Sequence, residues 1–178
     1  MIKTDDLKTL FVVFIIAVTY AQCTSFQPIT KGDSITRTET TTRPIDRNES
    51  QLRADVVRYA KKQLGAKYKY AGRSPQGFDC SGFTMYVLQE FDVDIPSGSY
   101  AQEEQGSKLN INQVAPGDLI FFRREKKGRV FHVAMVVEND ADGLKVIHST
   151  NRGVVIDNIS NNSYWQPKIS TARDVITP

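Results

Sequence analysis

From Val130 to Val137 every position is apolar except His132. A run of eight is too short for a typical helix and suits a strand, and its lack of polar alternation demands cover on both faces. Leu119-Ile120-Phe121-Phe122 before it reads as another buried strand. Lys145 to Ser149 and Val154 to Asn158 after it are two more. Pro116-Gly117-Asp118, Asn139 to Gly143 and Asn151-Arg152-Gly153 separate these segments as turns. Ile169 to Ile176 is a last strand that closes the sheet. Upstream the period is helical: Leu52, Val56, Ala60 and Leu64 form one apolar stripe. Asn48 and Gln51 fit an N-cap and its partner, and Gly65 fits a C-cap. Helices first and an antiparallel meander afterwards predict an α+β fold.

Between the two halves lies Phe78-Asp79-Cys80-Ser81-Gly82-Phe83. Gly72, Pro75 and Gly77 mark a loop before it, and Phe83, Val87 and Phe91 recur at helical spacing after it. Cys80 therefore stands where a loop becomes a helix, with Asp79 as N-cap. Unpaired N–H groups and the positive end of the helix dipole favour thiolate there, and thiolate is the nucleophile. Gly82 in the first turn costs roughly 1 kcal/mol relative to alanine, which implies a close approach to its backbone, such as by substrate. The competing reading of Cys80 is a small buried hydrophobe. Tyr68 and Tyr70 share a face of a short extended piece, and Tyr70 places a hydroxyl near the thiol. Further on, Ser99 and Gln102 fit a capping box for a helix over 99–105.

The N-terminus bears on compartment. Residues 1–21 read as an export segment: Lys3 and Lys8 in a polar head, an apolar run from Leu10 to Val18, and small residues before Gln22. Cys23 fits a lipid-modified cysteine and a membrane anchor, although Gln22 is a poor residue before it; an uncleaved anchor is the third outcome. Residues 22–47, rich in threonine, read as a flexible linker, of which two dozen residues span on the order of 25–30 Å. Residues 48–178 form the remaining domain. The chain has two cysteines. With Cys23 lipidated or removed, Cys80 has no disulfide partner, and an exported free thiol is kept for a use. Net charge is +3, a mild bias that excludes a nucleic-acid footprint. The basic cluster of residues 123–129 reads as a solvated hairpin tip, or as a contact to an anionic polymer or membrane.

The chain has two histidines, His132 and His148. With residues 139–143 as the loop, Glu138 lies opposite Leu144 and His132 opposite Thr150. The two rings then share a face, two residues out of register. Either ring alone fits a satisfied core residue. Together with a lone thiol they fit a base, His132, and a group that orients it, His148. A zinc site is disfavoured, since structural zinc ligands come in close pairs and none exists here. Neither metal nor cofactor is called for.

Six blocks, in order, carry a resemblance to a known family. They are Tyr68-Lys69-Tyr70-Ala71-Gly72, Phe78 to Phe83, Ile95-Pro96 with Ser99 and Gln102, Pro116 to Phe122, His132-Val133-Ala134-Met135-Val136, and Ile147-His148-Ser149. In these the chain resembles the NlpC family of bacterial cell-wall cysteine peptidases. The resemblance implies a papain-like fold, the cysteine helix packed on an antiparallel sheet. It implies cleavage of peptidoglycan stem peptides, usually between γ-D-glutamate and diaminopimelate or lysine. It assigns Cys80 as nucleophile, His132 as base and His148 as orienter. It places Tyr70 in the site and Asp79 and Ser81 against the free amine of the peptide. A monomer in the periplasm or cell envelope is expected, with peptidoglycan peptides as partner. Ala71 and Asp92 stand where the family commonly has glycine, and Tyr100 stands where a narrower groove would result. An amidase or acyltransferase with the same triad, or a wall-binding module without activity, are the alternatives.

Overall fold

The computed structural model describes residues 46–177. The export segment, Cys23 and the linker up to residue 45 lie outside the described residues. The first helix among the described residues, α1 (Arg47–Lys61), begins one residue after Asp46, whose side chain accepts the Glu49 N–H at 2.7 Å. Asp46, rather than Asn48, is thus the cap, and Asn48 sits inside the helix. The buried face of α1 carries Arg53, Val56, Val57 and Ala60.

A small hairpin of β1 (Arg73–Ser74) and β2 (Gly77–Phe78) leads into α2 (Cys80–Gln89). Then come a single turn, α3 (Ser99–Gln102), and a short strand, β3 (Ser107–Leu109). The rest is sheet: β4 (Leu119–Arg123), β5 (Val130–Asp140), β6 (Gly143–Thr150), β7 (Gly153–Asn158) and β8 (Ile169–Asp174). Among the described residues the order is β3-β8-β4-β5-β6-β7, antiparallel throughout. The meander from β4 to β7 is as the turns predict. The last strand returns beside β4 and takes β3 as its outer neighbour.

The apolar runs of β4 and β5 lack alternation because both faces are covered. On one side Phe83, Val87 and Leu88 of α2, with Val56 and Ala60 of α1, pack on Leu119, Phe121, Val133, Met135 and Ile147. Full burial of one such large side chain stabilises by about 1.5–3 kcal/mol. On the other side Ile159 and Trp165, from the connection between β7 and β8, pack on Ile120, Phe122, Ala134 and Val136.

Two details place α2. A Cβ on Gly82 would meet the Gly72 carbonyl oxygen at 2.0 Å. The close approach to Gly82 therefore comes from the chain itself and not from a substrate. The Gly72 carbonyl also accepts the Asp79 N–H at 3.0 Å. The second detail is Gln102. Its amide donates to the Ser81 carbonyl at 2.9 Å and the Pro96 carbonyl at 3.0 Å, and its oxygen accepts from Thr84 at 2.9 Å. The cap position of α3 is Gly98, without a side-chain bond, so Ser99 and Gln102 do not form a capping box. Gln102 is a buried clasp on the first turn of α2.

Candidate active site

The sheet opens at the cysteine. Pairing of β5 with β6 runs from Asp140 opposite Gly143 to Met135 opposite Ile147 and ends there. Beyond it β5 stays with β4 as far as Val130, and β6 stays with β7 as far as Thr150. The chain entering α2 occupies the gap. The Phe78 carbonyl accepts from Ser149 Oγ of β6 at 2.7 Å, and the Cys80 sulfur takes the backbone N–H of Val133 of β5. The backbone N–H groups of Ser81 and Cys80 also favour its thiolate. Cys80 is half-buried and unbridged.

His132 precedes Val133, and His148 precedes Ser149, so the strands that hold the cysteine loop also carry the rings. His132 Nε2 lies 3.0 Å from His148 Nδ1. His148 Nε2 lies 3.0 Å from Asp157 Oδ2, and Arg152 hydrogen-bonds the same carboxylate. Trp165 stacks on His132, ring centroids 4.7 Å apart and planes 27° apart, and its ring also lies 5.0 Å from His148.

The register that brings the rings together differs from the expected one in two compensating ways. The β5–β6 turn is two residues, Ala141 and Asp142, which sets Glu138 opposite Lys145. A bulge at Val137 then slips the pairing by one, so Val136 faces Val146. Near the histidines the result equals that of the five-residue loop.

Asp157 escapes the sequence reading for a related reason. Taking Asn151-Arg152-Gly153 as a three-residue turn puts Asp157 on the face away from His148. The turn has two residues, Thr150 lies opposite Gly153, and His148 opposite Val155. Asp157, two positions beyond Val155, shares the face of His148. Trp165, the single tryptophan, lies in a connection without periodicity, so nothing local announces its place.

The remaining expected residues divide. Tyr70 is 86% exposed. It is Tyr68 whose hydroxyl feels Cys80: burial pushes its pKa up first, and the Cys80, Asp79 and Tyr70 charges add to that. Of the two tyrosines, Tyr68 is the one on which the charge of Cys80 acts. Asp79 accepts the Gly82 N–H at 2.6 Å and the Ser81 hydroxyl at 3.0 Å. Ser81 is buried and its hydroxyl is spent on that bond, while Asp79 stays partly open. Among the described residues no group of three or more His, Cys, Asp or Glu could hold a metal ion.

Burial sets the charge state. It pushes the Cys80 thiol above its ordinary range, Asp79 adds to this, and the three backbone N–H groups oppose it without prevailing. The helix terminus alone therefore does not yield a resting thiolate. Burial, aided by His148, pushes His132 down to about 3. His148 is lowered too, by burial and by Arg152 against the pull of Asp157. Burial raises Asp157, but its bonds to His148 and Arg152 outweigh this and hold the carboxyl below its usual range. The resting site is a thiol, two neutral imidazoles and a carboxylate.

Comparison with known proteins identifies the family. The model of the NlpC/P60 family matches residues 65–174. Gamma-DL-glutamyl hydrolase of Bacillus subtilis is 36% identical over 67% of this chain and 29% of its own length. Murein DD-endopeptidase MepS/Murein LD-carboxypeptidase of Escherichia coli is 33% identical over 64% of this chain and 57% of its own. The chain thus spans between about three tenths and three fifths of these relatives. The crystal structure of an NlpC/P60 family protein from Bacillus cereus superposes with a TM-score of 0.64 at 35% identity, covering 70% of this chain and 40% of that one. The fold is papain-like α+β, and the chain belongs to the NlpC/P60 family.

Proposed function

We propose that the protein is a cysteine endopeptidase that hydrolyses peptidoglycan stem peptides, with Cys80 as nucleophile, His132 as base and His148 as orienter. The observation that carries this is the chain of contacts from His132 through His148 to Asp157, beside a half-buried thiol at the Val133 N–H. The family and the relatives named as murein and γ-glutamyl hydrolases support the substrate class. The thiol passes its proton to His132 as the sulfur attacks the amide carbonyl. The Cys80 N–H holds the oxyanion. His132 then gives the proton to the leaving amine, and water hydrolyses the acyl-enzyme. His148 does for His132 what a carboxylate or amide does in other thiol hydrolases.

The bond we assign is γ-D-glutamyl to diaminopimelate or lysine. The name of the Bacillus subtilis relative supports a γ-glutamyl bond. Asp79, partly exposed beside the thiol, suits the free ammonium group of the peptide; Ser81 serves by holding Asp79. Export, with lipid on Cys23 as anchor, brings the enzyme to the wall. Digestion of purified sacculi and defined muropeptides, followed by mass spectrometry, tests the reading. New free amines on diaminopimelate or lysine are expected. Cleavage at a D,D bond, or acyl transfer to an added amine in place of hydrolysis, would favour the other activities of this triad.

A further inference from the structure

Cys80, His132 and His148 leave one partly buried group of the site without a task. Asp157 of β7 accepts from His148 Nε2, and Arg152 from the β6–β7 turn bonds the same Oδ2. His148 is fully buried, so no solvent competes for its nitrogens. The charged and titratable groups facing it are His132 from β5, Asp157 from β7 and Arg152 from the turn.

These contacts determine where each proton sits. An ionised carboxylate only accepts, so His148 Nε2 carries a hydrogen. A neutral imidazole has one N–H, so His148 Nδ1 is an acceptor. The facing atom, His132 Nε2, must then donate to it. That leaves His132 Nδ1 as the free lone pair, the nitrogen that can take a proton from Cys80. Without the carboxylate, His148 has two tautomers of similar energy, and one of them turns an N–H against His132 Nε2 and reverses the base.

We propose that Asp157, held by Arg152, is a positioning residue that selects the Nε2–H tautomer of His148 and thereby presents His132 Nδ1 to the thiol. It touches neither substrate nor sulfur. Its negative charge also stabilises the imidazolium that forms on His132, at one ring's remove. The proposal rests on the reading of His132 as base, and the test separates the two.

The full chain labelled with ¹⁵N-histidine carries two labelled rings, since it has two histidines. The expected spectrum at neutral pH shows His148 as the Nε2–H tautomer. In Asp157→Ala it becomes a mixture, and kcat on a defined stem peptide falls roughly 10–100-fold with KM unchanged, as for other residues that orient a histidine through its second nitrogen. Asp157→Asn keeps an acceptor oxygen but no charge, so it retains the tautomer and loses less of kcat than alanine does. An Nδ1–H tautomer of His148 in the unmodified chain overturns the proposal. So does an unchanged tautomer in Asp157→Ala, whatever its activity. If the unmodified chain cleaves no stem peptide, the functional reading fails, and the spectra still decide the proposal.

Discussion

At the scale of residues, Cys80 and His132 start from their uncharged forms. Burial raises the thiol and pushes His132 down to about 3. The base proposed for the site, with so low a pKa, stays unprotonated far below neutrality. The acid limb of kcat/KM therefore lies well below the ordinary histidine value of 6.5, and activity between pH 5 and 6 stays close to that at pH 7. A tenfold loss centred near 6.5 would contradict the burial of the ring. Trp165 covers His132 and helps keep it dry. Trp165→Ala admits water to the imidazole, so it moves the acid limb upward toward 6.5, read from the same pH profile.

At the scale of elements, α2 is held at its first turn and the loop before it is strained. Ala71 has φ 54° and Asp92 φ 57°, the non-glycine residues in the left-handed region among those described. Both are positions where the family resemblance leads one to expect glycine. Left-handed alanine costs about 1–2 kcal/mol, and glycine gives back about 0.4–1 kcal/mol in the unfolded chain. Ala71→Gly should therefore stabilise by roughly 0.5–1 kcal/mol in denaturant unfolding, with activity unchanged. Gln102→Leu removes the partners of buried groups on α2 and should cost about 1–3 kcal/mol by the same measurement. Strand and helix identities were legible because the apolar runs are long and the periods distinct. Register was legible only by compensation, since neither the two-residue turn at Ala141-Asp142 nor the bulge at Val137 has a signal beyond the residues themselves. One residue too many in the turn before Gly153 hid Asp157, because a slip of one turns a side chain to the opposite face. The two tyrosines of the extended piece differ by their surroundings: Tyr70 is largely exposed, while Tyr68 bridges Phe78, two residues before Cys80.

At the scale of the whole molecule, Arg53 of α1 ties the helical layer to two neighbouring strands of the sheet, where the start of β4 lies beside the end of β8. Its guanidinium, 2% exposed, bonds Asp118 before β4 at 2.7 Å and Asp174 at the end of β8 at 2.8 Å, with Glu49 of its own helix at 2.6 Å. Arg53→Met takes the cation from two buried carboxylates and should destabilise by about 3–5 kcal/mol in denaturant unfolding. Stability also follows pH through the site. Folded His132 and His148 refuse protons that the unfolded chain binds, so stability falls as pH drops from about 6.5 toward 3. The lowered Asp157 and Asp174 extend the loss: their contribution is full above the ordinary 3.8 and disappears as pH falls through their folded values. At alkaline pH the raised Cys80 keeps a proton that the unfolded chain releases near 9, which lowers stability there. Thermal midpoints across pH should show a plateau near neutrality with a decline on both sides. The most direct trial of the proposed chemistry is to mix the protein with a stem peptide containing a γ-D-glutamyl bond, quench in acid within the first turnover, and weigh the intact chain. The expected species carries the γ-glutamyl fragment on Cys80 and is absent in Cys80→Ala. Cleavage of the peptide with no mass added to the protein, or with the adduct on another residue, would contradict it.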